Sequence, residues 1–254
     1  MAKSEEKSGE LALADYPVLS AGSSAQMEAV TANLGEEGIQ SFDLDRVSIP
    51  AGGGTQWLVP SLEGEESVKE IQGIIVAWRS PRVYWEVSVA EMDEPSPPDC
   101  SSPDGRYGTG RFGPGSVDNP VGACSSCPLN QWGSAGEGSK AKACKEQRHL
   151  YVIRPGGVLP MVVTLPPTSI NPMRQYFLRL ASESLPYYGV VTSLGLEAQS
   201  SGAYRWSTVK PRLVERLDAP AAEASKAYGE QLSANLPASS SIAPSGAIPD
   251  GASF

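Results

Sequence analysis

The sequence predicts a β-rich α+β fold: an OB-like antiparallel barrel with an inserted zinc-binding loop, two or three helices and a disordered C-terminal tail. Three observations carry this. Short runs of β-branched and aromatic residues are separated by Gly, Pro and Ser. The few helical patterns do not alternate regularly with the strands, which argues against a doubly wound parallel sheet. A stretch at about 99–150, poor in apolar residues, interrupts the strand pattern and holds all four cysteines of the 254-residue chain. The expected layout is an N-terminal extension at 1–38, a barrel at 39–232 carrying the insertion, and a tail at 233–254.

The elements follow in order. Residues 1–10 are small and charged, the usual composition of a frayed end. SSAQMEAVTANLG offers Ser23 or Ser24 as an N-cap and Gly35 as a stop, predicting a short helix. FDLDRVSIP, with Phe42, Leu44, Val47 and Ile49 apolar, predicts a strand ended by Pro50, and TQWLVP predicts another after the AGGG turn. VKEIQGIIVAWRSPRVYWEVSV reads as a β-hairpin, its arms at Ile71–Trp78 and Val83–Val89 joined by a turn at Arg79–Arg82 in which Pro81 fixes φ. After the cysteine stretch come strands in RHLYVIRP and GGVLPMVVTLPP. NPMRQYFLRLASESL is a helix capped by Thr168 or Ser169, with Met173, Phe177 and Leu180 on one stripe. YYGVVTSLGLEAQ and AYRWSTVKPRLVERL are strands about a turn at Ser200–Gly202. A last helix starts at Asp218-Ala-Pro220, a good cap and first turn, and runs to about Leu232. The remaining Ser/Ala/Pro/Gly-rich tail has the composition of disorder.

The cysteine stretch cannot be ordered by a hydrophobic core of its own. Cys124 and Cys127 form a CxxC, Cys144 follows 17 positions later and Cys100 precedes the pair by 24. One close pair plus two single cysteines fits a tetrahedral four-thiolate zinc site, which is structural because no coordination position stays open. Disulfides, free thiols and an iron–sulfur cluster are the other readings. His149, the single histidine, could replace one cysteine. The N-terminus lacks the apolar stretch of a signal peptide and no run spans a membrane. The expected location is therefore a reducing cytoplasm, which favours metal over disulfide.

The net charge of −9 is unevenly spread: residues 1–99 carry −12, residues 100–154 carry +3 and residues 155–254 are neutral. Binding to nucleic acid depends on a local basic face, so the acidic total does not exclude it. Lys140, Lys142, Lys145 and Arg148 supply such a face, or merely solubilise a loop. In the expected hairpin, Trp78, Tyr84 and Trp85 beside Arg79 and Arg82 are either core aromatics or a stacking platform flanked by cations. Alternation puts Tyr84 and Trp85 on opposite faces. Catalytic patterns are missing. There is no GxxxxGK[ST] motif, one histidine gives little basis for a triad, and Asp43, Asp45 and Asp99 have no evident partner.

Several phrases occur together: FDLDRVSIPAGGGTQW, GIIVAWRSPRVYW, PPDCSSPDGRYGTG, CSSCPLNQWGS, KACKEQRHLYV, LPMVVTLPPTSI and YYGVVTSLGLE. Over roughly residues 40–215 the chain resembles proteins of bacteriophages and mobile elements that look like single-stranded DNA-binding replication proteins, with an OB-type fold and an inserted four-cysteine zinc loop. The resemblance implies Cys100, Cys124, Cys127 and Cys144 as zinc ligands. It marks Trp78, Arg79, Arg82, Tyr84 and Trp85 as candidate DNA contacts, to which the basic set Lys140, Lys142, Lys145 and Arg148 adds phosphate contacts. Asp250 and Phe254 resemble the acidic, Phe-terminated tip with which bacterial single-strand binders recruit replication or recombination proteins. The expected function is non-enzymatic binding of single-stranded DNA in phage replication or recombination, in the cytoplasm of a bacterial host. The alternative is a zinc-stabilised protein-interaction module that regulates host or phage replication or transcription, for which the acidic N-terminal third would suit a basic partner.

Overall fold

The computed structural model describes residues 15–19, 24–35, 43–87 and 96–235. Its centre is a six-stranded sheet curled into a half-barrel, in the order β1 (Arg46–Ser48), β10 (Met161–Leu165), β9 (Arg148–Ile153), β4 (Glu70–Arg79), β11 (Val190–Ser201), β12 (Tyr204–Arg216). The strand-rich α+β class expected from the sequence is the one observed. All pairs in this sheet are antiparallel except β1–β10, which is parallel. A two-stranded ribbon, β2 (Trp57–Ser61) with β3 (Gly64–Val68), forms a separate sheet that packs on it through Trp57 and Val59. The β3 segment GEESV went unrecognised because four of its five residues are exposed, leaving no apolar alternation to read.

The central strands are buried on both faces, which is why IIVA, LYVI and MVV read as continuous apolar runs. Alternation divides them. Leu150, Val152, Ile71, Ile75, Val163 and Leu165 point into a cluster with Trp57, Met173, Tyr176 and Leu180. Tyr151, Ile153, Ile74, Val76 and Val162 point the other way, into a cluster with Tyr16, Leu19 and Leu44. Tyr16 and Leu19, from the stretch expected to be an extension, thus belong to the core. Helix α2 (Pro167–Ser182) covers the first face. It begins four residues earlier than expected, and neither Thr168 nor Ser169 caps it. Ser169 is instead buried and accepts a hydrogen bond from the Val209 amide at 2.9 Å, tying the helix to β12. Helix α3 (Ala219–Asn235) closes the second face, with Ala224, Tyr228 and Leu232 against the cluster. Asp218 caps it, accepting from the Ala221 amide at 2.8 Å. Helix α1 (Ser24–Leu34) ends at Gly35, as the sequence indicated.

The expected hairpin at Arg79–Arg82 does not form. β4 and β5 (Arg82–Tyr84) belong to different sheets and do not pair with each other. They are successive parts of one bent strand that runs antiparallel to another bent strand, β8 (Lys145–Glu146) followed by β9. Arg79 faces His149 and Arg82 faces Glu146, so one register continues across the bend. Between them the Gln147 amide donates to the Pro81 carbonyl at 2.9 Å. Pro81 has no N–H to offer a ladder but keeps its acceptor, so it marks a bend here and not a reversal. β5 joins β8, β6 (Cys100–Ser102) and β7 (Thr109–Gly110) in a four-stranded sheet within the cysteine segment, in the order β7-β6-β5-β8.

Candidate nucleic-acid interface

The cysteine segment folds on polar ties. Among residues 96–147, Phe112 is the one large apolar side chain that is buried. Buried Asn119 donates to the carbonyls of Phe112 and Ala123, each at 3.2 Å. Asn130 donates to the Cys124 carbonyl at 2.6 Å, and the Cys144 amide donates to the Leu129 carbonyl at 2.9 Å. These bonds turn the chain so that Cys100, Cys124, Cys127 and Cys144 line one cavity of about 10 Å³. Gly108 is part of its wall: a Cβ there would sit 2.9 Å from the Cys100 sulfur.

No disulfide forms among the four thiols. Burial raises the pKa of Cys100 and Cys124 and pushes Cys144 up to about 12, the neighbouring thiols adding to the rise. Arg82 beside Cys124 and Cys144, and backbone N–H groups of Phe112 and Thr109 at Cys100, pull the other way. The donor set and the shared cavity match the chemistry of a soft tetrahedral metal. As the side chains stand, however, no group of three or more His, Cys, Asp or Glu among the described residues is gathered closely enough to hold an ion. His149 does not line the cavity. It is buried in β9 with Nε2 3.3 Å from Gln147 Oε1, and burial, with Arg46 and Arg79 nearby, lowers its pKa to about 3.

Between the cysteine segment and the half-barrel runs a cleft of about 730 Å³. Its apolar floor comes from Ile49, Pro50, Ala51, Pro166, Pro167 and Ile170. Arg82, Lys140, Lys142, Lys145, Arg174 and Arg205 line it, against one carboxylate, Glu146. That carboxylate is held by Arg82 at 2.9 Å. Three aromatic rings stand in the lining. Trp132 is 74 % exposed and Tyr204 50 % exposed, while Trp206 is half-buried. Lys142 lies over the Trp132 ring, 5.0 Å from its centroid. On the barrel side the Ala51–Gly53 turn packs against the start of β12. Gly53 has φ 83°, and a Cβ there would touch Arg205 Cβ at 3.4 Å and then the Trp206 backbone. Ser207 donates to the Gly54 carbonyl at 2.7 Å and fastens this turn to β12.

The residues singled out from the sequence divide. Lys140, Lys142 and Lys145 line the cleft. So does Arg82, but its guanidinium is engaged by Glu146 and by Asn130 Oδ1 at 2.6 Å, as a brace within the cysteine segment. Trp78 and Tyr84 do not form one platform, because the bend at Pro81 sends them into different sheets. Trp78 is 39 % exposed, with the Arg148 guanidinium 4.6 Å from its ring centroid. Tyr84 meets Phe112 edge-on at 5.7 Å, and Trp85 Nε1 donates to the Ser96 carbonyl at 3.1 Å. Arg79 donates to the Ser233 carbonyl at 3.1 Å. Asp250 and Phe254 lie outside the described residues. Trp132, Arg174, Tyr204, Arg205 and Trp206 are the cleft residues that sequence reading passed over. The i, i+2 spacing of Tyr204 and Trp206, and a lone Trp132 eight residues before Lys140, were the available signals.

No family model, curated protein or solved structure matches the chain. No helix among the described residues is long and apolar enough to cross a membrane.

Proposed function

We propose that the chain is a non-enzymatic protein that binds single-stranded DNA in this cleft, in the replication or recombination of phage or mobile-element DNA. The observation that carries the reading is the lining itself: three aromatic rings and six cations against one already paired carboxylate. Single-strand binders combine aromatic faces, on which bases stack irrespective of sequence, with cations that follow the phosphates. In this reading Trp132, Tyr204 and Trp206 take bases, while Lys140, Lys142 and Arg205 take phosphates. Cys100, Cys124, Cys127 and Cys144 would hold a structural zinc ion, whose charge would compensate their buried sulfurs and fix the Trp132 wall.

The test is titration against labelled oligo-dT at several salt concentrations, with zinc assayed in the same preparation. Each phosphate contact to a single strand contributes about −0.7 to the slope of log K against log salt, so four to six contacts give roughly −3 to −4. Salt-independent binding, or a Trp132→Ala variant that binds as wild type does, would reject the reading. The β2–β3 ribbon favours a second one. It exposes Leu58 and Leu62 beside Glu63, Glu65 and Glu66, a surface suited to a basic protein in a zinc-stabilised interaction module. One stoichiometric protein partner that is lost on charge reversal in the ribbon, with no DNA shift, would select it.

A further inference from the structure

Arg148 is in an unusual position for a cation. It is 8 % exposed, and its Nε is buried with no hydrogen-bond partner. Its Nη2 reaches Ser80 Oγ only at 3.5 Å, and its guanidinium rests on the Trp78 ring. Glu146, the nearby carboxylate, bonds to Arg82. Arg174, exposed on α2, is the neighbouring charge and has the same sign. A buried guanidinium beside a second cation, with an unsatisfied N–H, costs stability unless an anion completes it. Arg174 also lines the cleft. One helical turn further along α2, Phe177 places its ring 6.3 Å from that of Trp78.

We propose that Arg148 and Arg174 form an oxyanion station for a backbone phosphate of the bound strand, and that the exposed part of Trp78 receives the next base. The strand then leaves the cleft along α2, beyond Trp132, Tyr204 and Trp206. The guanidinium fork suits a phosphate's paired oxygens. This inference rests on the cleft reading and lengthens its path.

The experiment compares wild type, Arg174→Gln, Arg148→Lys and Trp78→Ala on oligo-dT of increasing length, with melting followed by circular dichroism. Arg174→Gln should melt as wild type does, bind long oligonucleotides about three- to tenfold more weakly and lose about 0.7 from the salt slope. Arg148→Lys keeps the charge but not the stacked fork and should lose a similar factor. Trp78→Ala should weaken long oligonucleotides about fivefold or more and leave the shortest bound ones unchanged. Trp132→Ala should weaken all lengths. If Arg174→Gln and Trp78→Ala match wild type at every length while Trp132→Ala loses binding, the station is overturned and the cleft reading stands. A wild type that binds no oligo-dT overturns both.

Discussion

The half-barrel and the cysteine segment are ordered by different means. The barrel encloses two apolar clusters, one on each face of its central strands, with Trp57, Ile74, Ile75, Leu150 and Ile153 fully buried. The cysteine segment buries Phe112 and then relies on turns and amide side chains, with its four cysteines lining one small cavity. Apolar burial is spread over many residues and tolerates partial loss. An arrangement that rests on a few polar ties and one shared centre should be lost as a unit, since a half-satisfied buried network costs more than it returns. The cleft therefore has walls of unequal kind: the barrel side stands on the apolar core, and the cysteine segment carries a wall that a single event can remove.

Chelation, or Cys127→Ser, should separate the two regions most sharply. If the four thiols hold zinc as proposed, either should abolish amide-exchange protection in β6 and β7 while β9 and β10 keep theirs, because a structural thiolate site contributes folding energy outright. Equal loss in both regions would show that they share one cooperative core. Next, Leu150→Ala should lower global stability by about 2–5 kcal/mol in denaturant melts, the usual cost of a large core truncation.

A pH effect follows. His149 has a folded pKa lowered to about 3, so the unfolded chain binds its proton first as pH falls. Its contribution is fully present above the unfolded value of about 6.5 and declines below it by up to about 1.4 kcal/mol per pH unit. His149→Gln should flatten the stability profile between about pH 6 and pH 4.5. An unchanged slope would reject the buried neutral imidazole. Asp218→Ala, which removes the α3 cap, should cost about 1 kcal/mol. Trp132→Ala should disturb the fold least, altering stability by less than about 0.5 kcal/mol, as for an exposed surface site, while binding falls.

The sequence disclosed these regions unequally. The strands β4, β9 and β10 were legible because burial on both faces leaves uninterrupted apolar runs, and β12, largely exposed, was legible by the alternation of Tyr204, Trp206 and Thr208 with Arg205 and Ser207. The cysteine segment was legible as a unit because such a composition cannot order itself by burial. Arg79-Ser-Pro-Arg82 was misread because a proline between two strand-forming runs is locally the same in a reversal and in a bend. Only the partner strand through Glu146 and His149 decides which it is. The cleft aromatics were missed because Trp132 lies 72 positions from Tyr204 in sequence. Chain topology brings them to one groove, and no local periodicity encodes that meeting.

The unbroken register through the Pro81 bend has a mechanical consequence. Two strands leave the half-barrel together and enter the second sheet still paired, so they act as a stiff bracket with a hydrogen bond at its elbow. Main-chain geometry then fixes how the cysteine segment stands off the half-barrel, at the root of the jaw between Trp132 and Trp206. A preset jaw of that kind spares an incoming chain the entropy of shaping its own seat. It also makes the elbow a lever: a slip of one residue at Gln147 would swing the whole far wall and change the width of the jaw, though no residue inside it had been touched.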